Sequence, residues 1–396
     1  MNARLQEEMA AELGRLEREG LSLRIRTLDS EQGPVCTVDG KHVVNLAANN
    51  YLGIIGRKDV KEAAKRAIDE FGVGSGAVKT IMGNTRLIVE AEEKLARFKG
   101  SDAVLMFQSG LMANSGTIPA LVHEGDLIFS DELNHASIID GCRLSKASIV
   151  PYKHCDPKDL EEKLVERREE SGLKLVVTDG VFSMDGDIAP LPALVEVARR
   201  HDAATMVDDA HGEGVLGDHG RGIVNHFRLE GEIDVEVGTM SKAFGVVGGY
   251  VAGSRTLIEY LKNKARTILF SSTATPADVG AILRVIDVLS ESDELVRKLW
   301  DNTAYFKAQM RSHGFNTWRS ETPITPIIVG DNKLAKELSM RLFDRGVFAQ
   351  SLGFPTVPRD LARIRCMLCA MHTREQLDFA ATMFREAAVE LGILRG

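Results

Sequence analysis

The chain has 396 residues, of which 44% are apolar and 27% charged, which favours two or three lobes of ordinary globular composition. Its net charge of −8 argues against nucleic acid or an anionic membrane surface as a partner. No apolar run reaches about 18 residues, so we expect no membrane span, and the first 20 residues lack an apolar core, so we expect no signal peptide. The five cysteines are scattered along the chain, which favours a reducing, cytoplasmic compartment.

The N-terminal segment, residues 1–50, is predicted to form a helix followed by a short β segment. Four apolar residues recur at helical spacing and share one face: Leu5, Met9, Leu13 and Leu16. A helix of this kind packs on its own protein or on a partner subunit. The β segment is predicted around Val35–Leu46.

Residues 51–285 alternate between apolar strands and helical patterns, which predicts one large domain. Two of the intervening helices are Pro157–Arg168, with Asp156 as its N-cap, and Pro192–His201. Such alternation is typical of a largely parallel sheet with helices on both faces. The predicted strands are Ala103–Phe107, Leu127–Ser130, Leu173–Asp179, Ala203–Asp208, Val235–Thr239 and Gly249–Ala252.

Residues 286–396 are predicted to form a smaller α+β domain after a long helical stretch. Its strands are expected at Pro326–Val329 and Ile364–Leu368, and its later helices at Lys333–Arg345 and Arg374–Leu391. A Cys-x-x-Cys pair at Cys366 and Cys369 has no second ligand pair nearby, so we interpret both as buried residues rather than a metal or redox site.

Small and polar residues follow five of the predicted strands. In an open α/β sheet, ligands bind at the carboxyl ends of the strands, so we expect these segments to meet at one site. The first of them also begins a helix, whose free N–H groups are suited to hold a phosphate. The segments are Gln108–Leu111, Asp131–His135, Gly180–Ser183, Asp208–His211 and Thr239–Lys242.

The residue types in these segments predict a specific chemistry. A lysine such as Lys242, beside a phosphate cup, can form an imine with an aldehyde cofactor. A carboxylate such as Asp208 would keep a pyridine nitrogen protonated and so make the ring an electron sink. A histidine ring could lie flat against the cofactor, and Arg365 could bind a substrate carboxylate through two parallel hydrogen bonds.

A glycine-rich segment, Gly72–Ala77, offers a competing interpretation as a dinucleotide-binding loop. The preceding residues, Val60–Glu70, are predicted to be helical, whereas the dinucleotide motif follows a strand. We therefore interpret the segment as a flexible loop over a cofactor or at a subunit contact.

The chain, from about Leu21 onward, resembles the α-oxoamine synthases, which are fold-type I pyridoxal-phosphate (PLP) enzymes that join a small amino acid to an acyl-CoA thioester. This resemblance implies a large domain with a mostly parallel seven-stranded sheet, a smaller C-terminal α+β domain, PLP as cofactor and a homodimer with shared active sites. The matching motifs are Asn49–Gly53, Asn134–Ser137, Asp179–Gly186, Val207–Gly212, Gly238–Ala243 and Ala362–Arg365.

The same resemblance implies roles for individual residues. Lys242 would be the Schiff-base lysine and the base for the Cα proton, and Asp208 would pair with the pyridine nitrogen. His135 would stack on the ring, with His211 and Ser183 at its oxygen side. The remaining roles are phosphate binding by Gly110, Leu111 and Thr239, contact with the neighbouring subunit's phosphate by Ser271 and Ser272, and carboxylate binding by Asn49 and Arg365.

Substrate choice within the family is predicted from finer similarities. The chain looks most similar to glycine C-acetyltransferases and to 8-amino-7-oxononanoate synthases, and the branched Val78 in the amino-acid pocket favours glycine, with acetyl-CoA as donor. The alternatives are an 8-amino-7-oxononanoate synthase, which uses alanine and pimeloyl-CoA, and a serine palmitoyltransferase-like enzyme, which Gly245–Gly249 resembles. More distant alternatives are another fold-type I reaction such as transamination, and a non-catalytic partner subunit, against which the presence of Lys242 argues.

Overall fold

The N-terminal part of the chain contains one isolated helix and a β-hairpin. The computed structural model describes residues 2–19, 22 and 24–395. Helix α1 (Ala3–Arg18) agrees with the predicted helix but buries none of its residues. Strands β1 (Val35–Val38) and β2 (Lys41–Asn45) form an antiparallel hairpin. Its two-residue turn has Asp39 and Gly40 at positive φ, which suits the twist of the two strands.

Two helices and an irregular segment precede the main sheet. Helix α2 (Lys58–Phe71) and helix α3 (Arg86–Lys99) are joined by a segment that ends in a π-helical turn at Lys79–Gly83. The glycine-rich segment 72–77 therefore follows a helix, as the sequence predicted, and not a strand.

A seven-stranded sheet forms the centre of the molecule and confirms the predicted fold class. The strand order is β3-β9-β8-β7-β6-β4-β5, and only β9 runs antiparallel to its neighbours. The edge strand β5 was not predicted, because exposed and buried residues are interspersed along it and its sequence is not a continuous apolar run. The strands are β3 (Ala103–Phe107), β4 (Leu127–Asp131), β5 (Ser148–Tyr152), β6 (Lys174–Asp179), β7 (Ala204–Asp208), β8 (Val235–Thr239) and β9 (Gly249–Gly253).

Helices cover both faces of this sheet. Successive residues of β6 point to opposite sides, so Val176 joins one buried apolar cluster while Leu175 and Val177 join another. Both faces are therefore buried, as a parallel sheet requires. The helices that follow α3 are α4 (Gly110–Leu121), α5 (Ala136–Ser145), α6 (Pro157–Glu166), α7 (Leu191–Arg200), α8 (Ile223–His226), α9 (Arg255–Lys264), α10 (Arg266–Leu269), α11 (Pro276–Glu291) and α12 (Glu294–Ser312).

The C-terminal part is built on a small antiparallel sheet in the order β10-β13-β12. Strand β11 pairs instead with β2, so the N-terminal hairpin and the C-terminal part of the chain share a second small sheet. None of the described helices is long and apolar enough to cross a membrane. The elements are β10 (Ile324–Gly330), α13 (Asn332–Asp344), β11 (Val347–Phe348), β12 (Gln350–Leu352), β13 (Ala362–Met367) and α14 (Arg374–Glu390).

Candidate active site

The predicted site segments meet at the carboxyl ends of the central strands. Strands β6 and β7 end side by side, with Asp179 in register with Asp208. Strand β8 ends at Thr239, and the chain then turns through Lys242 before it returns as β9. Because β6, β7 and β8 are parallel neighbours, their polar termini lie at one edge of the sheet.

Lys242 lies in a tight turn between β8 and β9. Three backbone hydrogen bonds hold this turn: Met240 N–H to Gly248 O, Gly245 N–H to Lys242 O, and Val246 N–H to Met240 O, each 3.0–3.1 Å. Burial lowers the pKa of the Lys242 ammonium, assisted by the Arg365 charge and opposed by Asp208 and Asp179. A lysine with a lowered pKa is a better nucleophile and base near neutral pH.

Asp208 is a buried carboxylate with defined partners on both oxygens. Asn114 of α4 donates to Oδ2 at 2.6 Å, and the backbone N–H of Ala210 donates to Oδ1 at 3.0 Å. The adjacent Asp179 has its pKa raised well above the usual range by burial and by the Asp208 charge. Asp179 therefore favours its protonated form.

His135 immediately precedes helix α5 and acts as its N-cap. Its Nδ1 accepts from the Ser137 N–H at 3.2 Å and lies 2.7 Å from the Ser137 hydroxyl, which also accepts from Asn114. Its backbone N–H donates to Asp179 at 2.6 Å. Desolvation and the Lys242 charge lower the pKa of His135 against the opposing pull of Asp208. The contacts of Nδ1 with Ser137 thus fix the orientation of the His135 ring, and its lowered pKa keeps the ring neutral near pH 7.

His211 is buried against Tyr51, a residue of the loop before α2 that was not predicted as a site residue. The Tyr51 hydroxyl lies 2.7 Å from His211 Nδ1. Burial raises the pKa of Tyr51, so the phenol keeps its proton. Burial, with the Lys242 and Arg365 charges, lowers the pKa of His211 far below its usual value. A neutral imidazole that accepts from Tyr51 at Nδ1 carries its proton on Nε2 and can donate it to an oxygen.

The N-terminus of α4 forms a close-packed cradle. Ser109 caps the helix by accepting from the Met112 N–H, which leaves the first N–H groups, including those of Gly110 and Leu111, at the helix end. A Cβ on Gly110 would lie 3.1 Å from the Cβ of Thr239, so the helix end and the β8 terminus are in contact. This arrangement suits an anion such as a phosphate.

Ser271 and Ser272 lie beside this cradle within the same chain. Gln108 donates to the carbonyl oxygen of Ser271 at 3.2 Å and also to that of Ser272. Val78 forms an antiparallel bridge with Ser272, which brings the predicted pocket residue to the same edge of the site. The predicted contact of these serines with the cofactor phosphate of a neighbouring subunit stays a prediction.

Arg365 reaches the site from β13 of the small sheet. It donates to the Asn49 side-chain oxygen at 2.7 Å, which brings together the two residues predicted to bind a carboxylate. Burial lowers the pKa of the guanidinium. Within the described part of the chain, no carboxylate forms an ion pair with Arg365. A largely buried guanidinium without an acidic partner is suited to bind the carboxylate of a small molecule.

Ser183 lies in the turn after β6, which is closed by the Gly186 N–H donating to Phe182 O at 2.8 Å.

Three residues that support the site were not predicted as site residues from the sequence: Tyr51, Asn114 and Asp179. Tyr51 and Asp179 belong to motifs that carry the resemblance, so a signal for them existed, whereas nothing in the local pattern of α4 marks Asn114.

The residues present fit the groups of PLP. The α4 cradle suits its phosphate, Lys242 its aldehyde, Asp208 its pyridine nitrogen and His211 its ring oxygen. The buried Asp208 carboxylate, held by two hydrogen bonds, is the observation that distinguishes this fit from a general anion site.

Comparisons with known proteins agree with this geometry. The sequence model of the class I and II aminotransferase family matches residues 41–384. The 8-amino-7-oxononanoate synthases of Thermosipho melanesiensis and Fervidobacterium nodosum are 56% and 55% identical, over 97% of this chain and 98% of each of theirs. Among solved structures, serine palmitoyltransferase of Sphingomonas wittichii has a TM-score of 0.92 at 32% identity over 99% of both chains. The 8-amino-7-oxononanoate synthase of Francisella tularensis has a TM-score of 0.74 at 28% identity, over 87% of this chain and 97% of that one.

Proposed function

We propose that this chain, which belongs to the class I and II aminotransferase family and is a PLP-dependent α-oxoamine synthase, condenses alanine with a pimeloyl thioester. The choice of substrates rests on one observation, namely that relatives 49–56% identical over nearly their whole length are 8-amino-7-oxononanoate synthases. The balanced reaction is alanine plus pimeloyl thioester to 8-amino-7-oxononanoate, free thiol and CO2.

The expectation of glycine and acetyl-CoA is not supported by these comparisons. It rested on motifs that resemble the glycine enzymes and, to a lesser degree, on the branched Val78, and one methyl group changes substrate discrimination by only about 1–3 kcal/mol. Val78 lies on the bridge to Ser272 at the edge of the site, so its identity alone does not fix the room beside the substrate Cα.

The carboxylate and amine of the amino acid would be bound from opposite sides of the crevice. Arg365, oriented by Asn49, would take the carboxylate, since its buried guanidinium has no acidic partner in the described chain. The amine would face Lys242, whose lowered pKa makes it a better proton acceptor near neutral pH than an exposed lysine. This placement puts the Cα–H bond within the reach of Lys242.

PLP, when bound, supplies an electron sink for the pair left behind when the Cα proton departs. Asp208 would hold the pyridine nitrogen in its protonated form, because its carboxylate is buried and fixed by Asn114. His211, held in one tautomer by Tyr51, would donate from Nε2 to the ring oxygen of the cofactor. Cα would form a bond to the thioester carbonyl carbon as the thiolate leaves, the amino-acid carboxylate would depart as CO2, and the proton taken up by Lys242 would return to Cα.

We propose that the active form is a homodimer whose interface borders the site. An exposed apolar patch surrounds the α4 cradle; its five side chains are 57–82% exposed, and they are Val73, Ile81, Met82, Leu111 and Phe270. Its segments are held together, since the Thr273 N–H donates to Ala77 O and the Val78–Ser272 bridge lies between them. A second copy would cover this patch and bring its own residues to the cofactor.

Carboxyl-labelled alanine tests the proposed reaction directly. Purified enzyme loaded with PLP is given 1-13C-alanine and pimeloyl-CoA, or the same acyl group on a carrier protein. We expect labelled CO2 and an unlabelled amino-ketone product of the mass of 8-amino-7-oxononanoate. A product that retains the label, or activity confined to glycine with acetyl-CoA, would overturn the proposal.

A further inference from the structure

Six ionisable side chains form a cluster between the end of β4, the turn after β6 and the C-terminal part of the chain. We call it the ion cluster; it contains three acids and three bases, Asp131, Asp185, Asp187, His154, Arg319 and Arg363. The His154 ring joins two of the acids, with Nδ1 3.0 Å from Asp131 and Nε2 2.8 Å from Asp187. Although burial lowers it, the pKa of His154 is raised to about 11 by these carboxylates, so the six charges balance.

Two arginines from the C-terminal part complete the ion cluster. Arg319 donates to Asp185 at 2.6 Å and lies 3.3 Å from Asp187. Arg363 is only 1% exposed, forms an ion pair with Asp185, and donates to the carbonyl oxygens of Met184 and Leu361 at 3.0 Å each. Because each charge has a partner, the cluster is a fixed structural contact rather than an open cation site.

Three of the segments that contribute to the ion cluster also carry a proposed site residue close by. Asp131 is four residues before His135, and Asp185 is two residues after Ser183. Arg363 is two residues before Arg365 on strand β13, and residues two apart on a strand lie on the same face. The contact between Arg363 and Asp185 therefore holds the strand face from which Arg365 reaches the site.

We propose that Arg363 and Asp185 are positioning residues that set the place of Arg365 relative to Lys242 and the cofactor. The proposal rests on the proposed role of Arg365 as the carboxylate-binding residue. The turn after β6 supplies Asp185 and strand β13 supplies Arg363, so their ion pair fixes the position of β13 relative to the carboxyl end of β6. A shift of β13 by a fraction of an ångström displaces the guanidinium from the substrate carboxylate and weakens amino-acid binding.

Alanine binding to the PLP-loaded enzyme tests this without an acyl donor. Binding is measured by titrating the change in cofactor absorbance with alanine, beside PLP affinity and the KM of the acyl donor. We expect Arg363→Gln to weaken alanine binding by about ten- to hundredfold, as small misplacements of a binding group do, with the other two quantities unchanged. The matched control is Arg319→Gln, which removes an arginine from the same cluster but not from β13, and which we expect to change alanine binding by less than about threefold.

The outcomes separate this inference from the proposed function. If Arg365→Lys leaves alanine binding unchanged, the proposed carboxylate site is wrong. If Arg365→Lys weakens alanine binding but a folded Arg363→Gln does not, the positioning role is wrong. The positioning role is also wrong if Arg319→Gln weakens alanine binding as much as Arg363→Gln does. A parallel loss of PLP affinity in Arg363→Gln would also contradict it. Should Arg363→Gln fail to fold, Asp185→Asn, which keeps the backbone contacts of Arg363, decides by the same criteria.

Discussion

At the scale of single residues, burial and one or two hydrogen bonds set the protonation of the site. Lys242, His135 and His211 each have a lowered pKa, so the crevice favours neutral bases, while Asp208 is fixed by donors. The sequence predicted Lys242 and Asp208, because both follow strands that must end side by side. It could not predict Asn114 as the donor to Asp208, because that contact joins positions 94 residues apart on different elements.

The hydrogen bond between Tyr51 and His211 gives a first residue-scale prediction. Tyr51→Phe removes the donor that holds His211 in one tautomer, and we expect kcat/KM to fall by about tenfold, which is the usual effect of one hydrogen bond of about 1.4 kcal/mol. Steady-state kinetics measure this. The control is Tyr260→Phe, which removes a hydroxyl that donates to Ala120 O at 3.0 Å, outside the site. Equal losses in both variants would show that His211 does not depend on Tyr51.

The charge on His154 gives a second residue-scale prediction, in stability against pH. Its folded pKa of about 11 lies above the unfolded value of 6.5, so its contribution is fully present below pH 6.5 and is lost as the pH rises towards 11. We expect His154→Gln to lower the free energy of unfolding by about 3 kcal/mol at pH 6, the usual loss when one partner of a buried ion pair is removed. The difference from wild type should shrink at pH 8 and again at pH 10 in urea titrations. A difference independent of pH would contradict a protonated His154.

At the scale of elements, the close contact between β9 and the start of α4 shapes the phosphate cradle. A Cβ on Gly249 would lie 2.4 Å from the carbonyl carbon of Ser109. We therefore expect Gly249→Ala to push the α4 N-terminus away and to weaken PLP affinity by about tenfold, since overpacking typically costs about 1–3 kcal/mol. Fluorescence titration of the apoenzyme with PLP measures this affinity.

The control for this element is Gly14→Ala on helix α1. The nearest atom to its Cβ would be the end of the flexible Arg18 side chain at 3.2 Å, so the substitution meets no backbone. We expect PLP affinity to stay unchanged, because alanine favours a helix over glycine and α1 buries no residue. Weakened PLP binding in Gly14→Ala, or unchanged binding in Gly249→Ala, would show that the cradle does not depend on the close contact.

Elements were predicted well where their patterns were continuous. The bounds of β3 and β8 agree residue for residue with the predicted runs, since each strand directly follows an aspartate, Asp102 or Asp234, and nearly all of its residues are buried. Strand β5 was missed because it lies at the sheet edge and three of its five residues are exposed. The parallel pairing of β11 with β2 joins residues about 300 positions apart, and no local pattern specifies such a contact.

At the scale of the whole molecule, the exposed apolar patch gives a prediction about assembly. Met82→Glu places a charge in the patch, and we expect it to shift the protein towards monomer and to lower activity in parallel, because a buried unpaired charge disfavours association. Sedimentation velocity at several concentrations measures the shift. The control is Met340→Glu on α13, which is 48% exposed and lies outside the patch. An unchanged dimer in Met82→Glu, or a monomeric wild type, would contradict the proposed interface.

The sequence predicted the fold, the cofactor and the family at this scale, because six separate motifs carry them. For the substrates it indicated glycine with acetyl-CoA as the first choice and alanine with pimeloyl-CoA as an alternative, and the comparisons favour the alternative. The sequence did not decide between them, because the two amino acids differ by one methyl group and the acyl chain depends on the shape of a pocket formed by several elements. The domain limits of 1–50, 51–285 and 286–396 remain predictions. The pairing of β2 with β11 places the N-terminal hairpin beside the C-terminal elements, which the linear order of the sequence does not reveal.

The measurement that tests the central claim most directly is the ratio of two kcat/KM values from thiol release. One is for alanine with a pimeloyl thioester and the other for glycine with acetyl-CoA, each with Lys242→Ala beside the wild type. We predict that alanine with the pimeloyl donor is favoured by about tenfold or more, which is the scale of discrimination that small pocket differences give, and that Lys242→Ala releases no thiol above background. A higher value for glycine with acetyl-CoA, or full turnover by Lys242→Ala, would contradict the account.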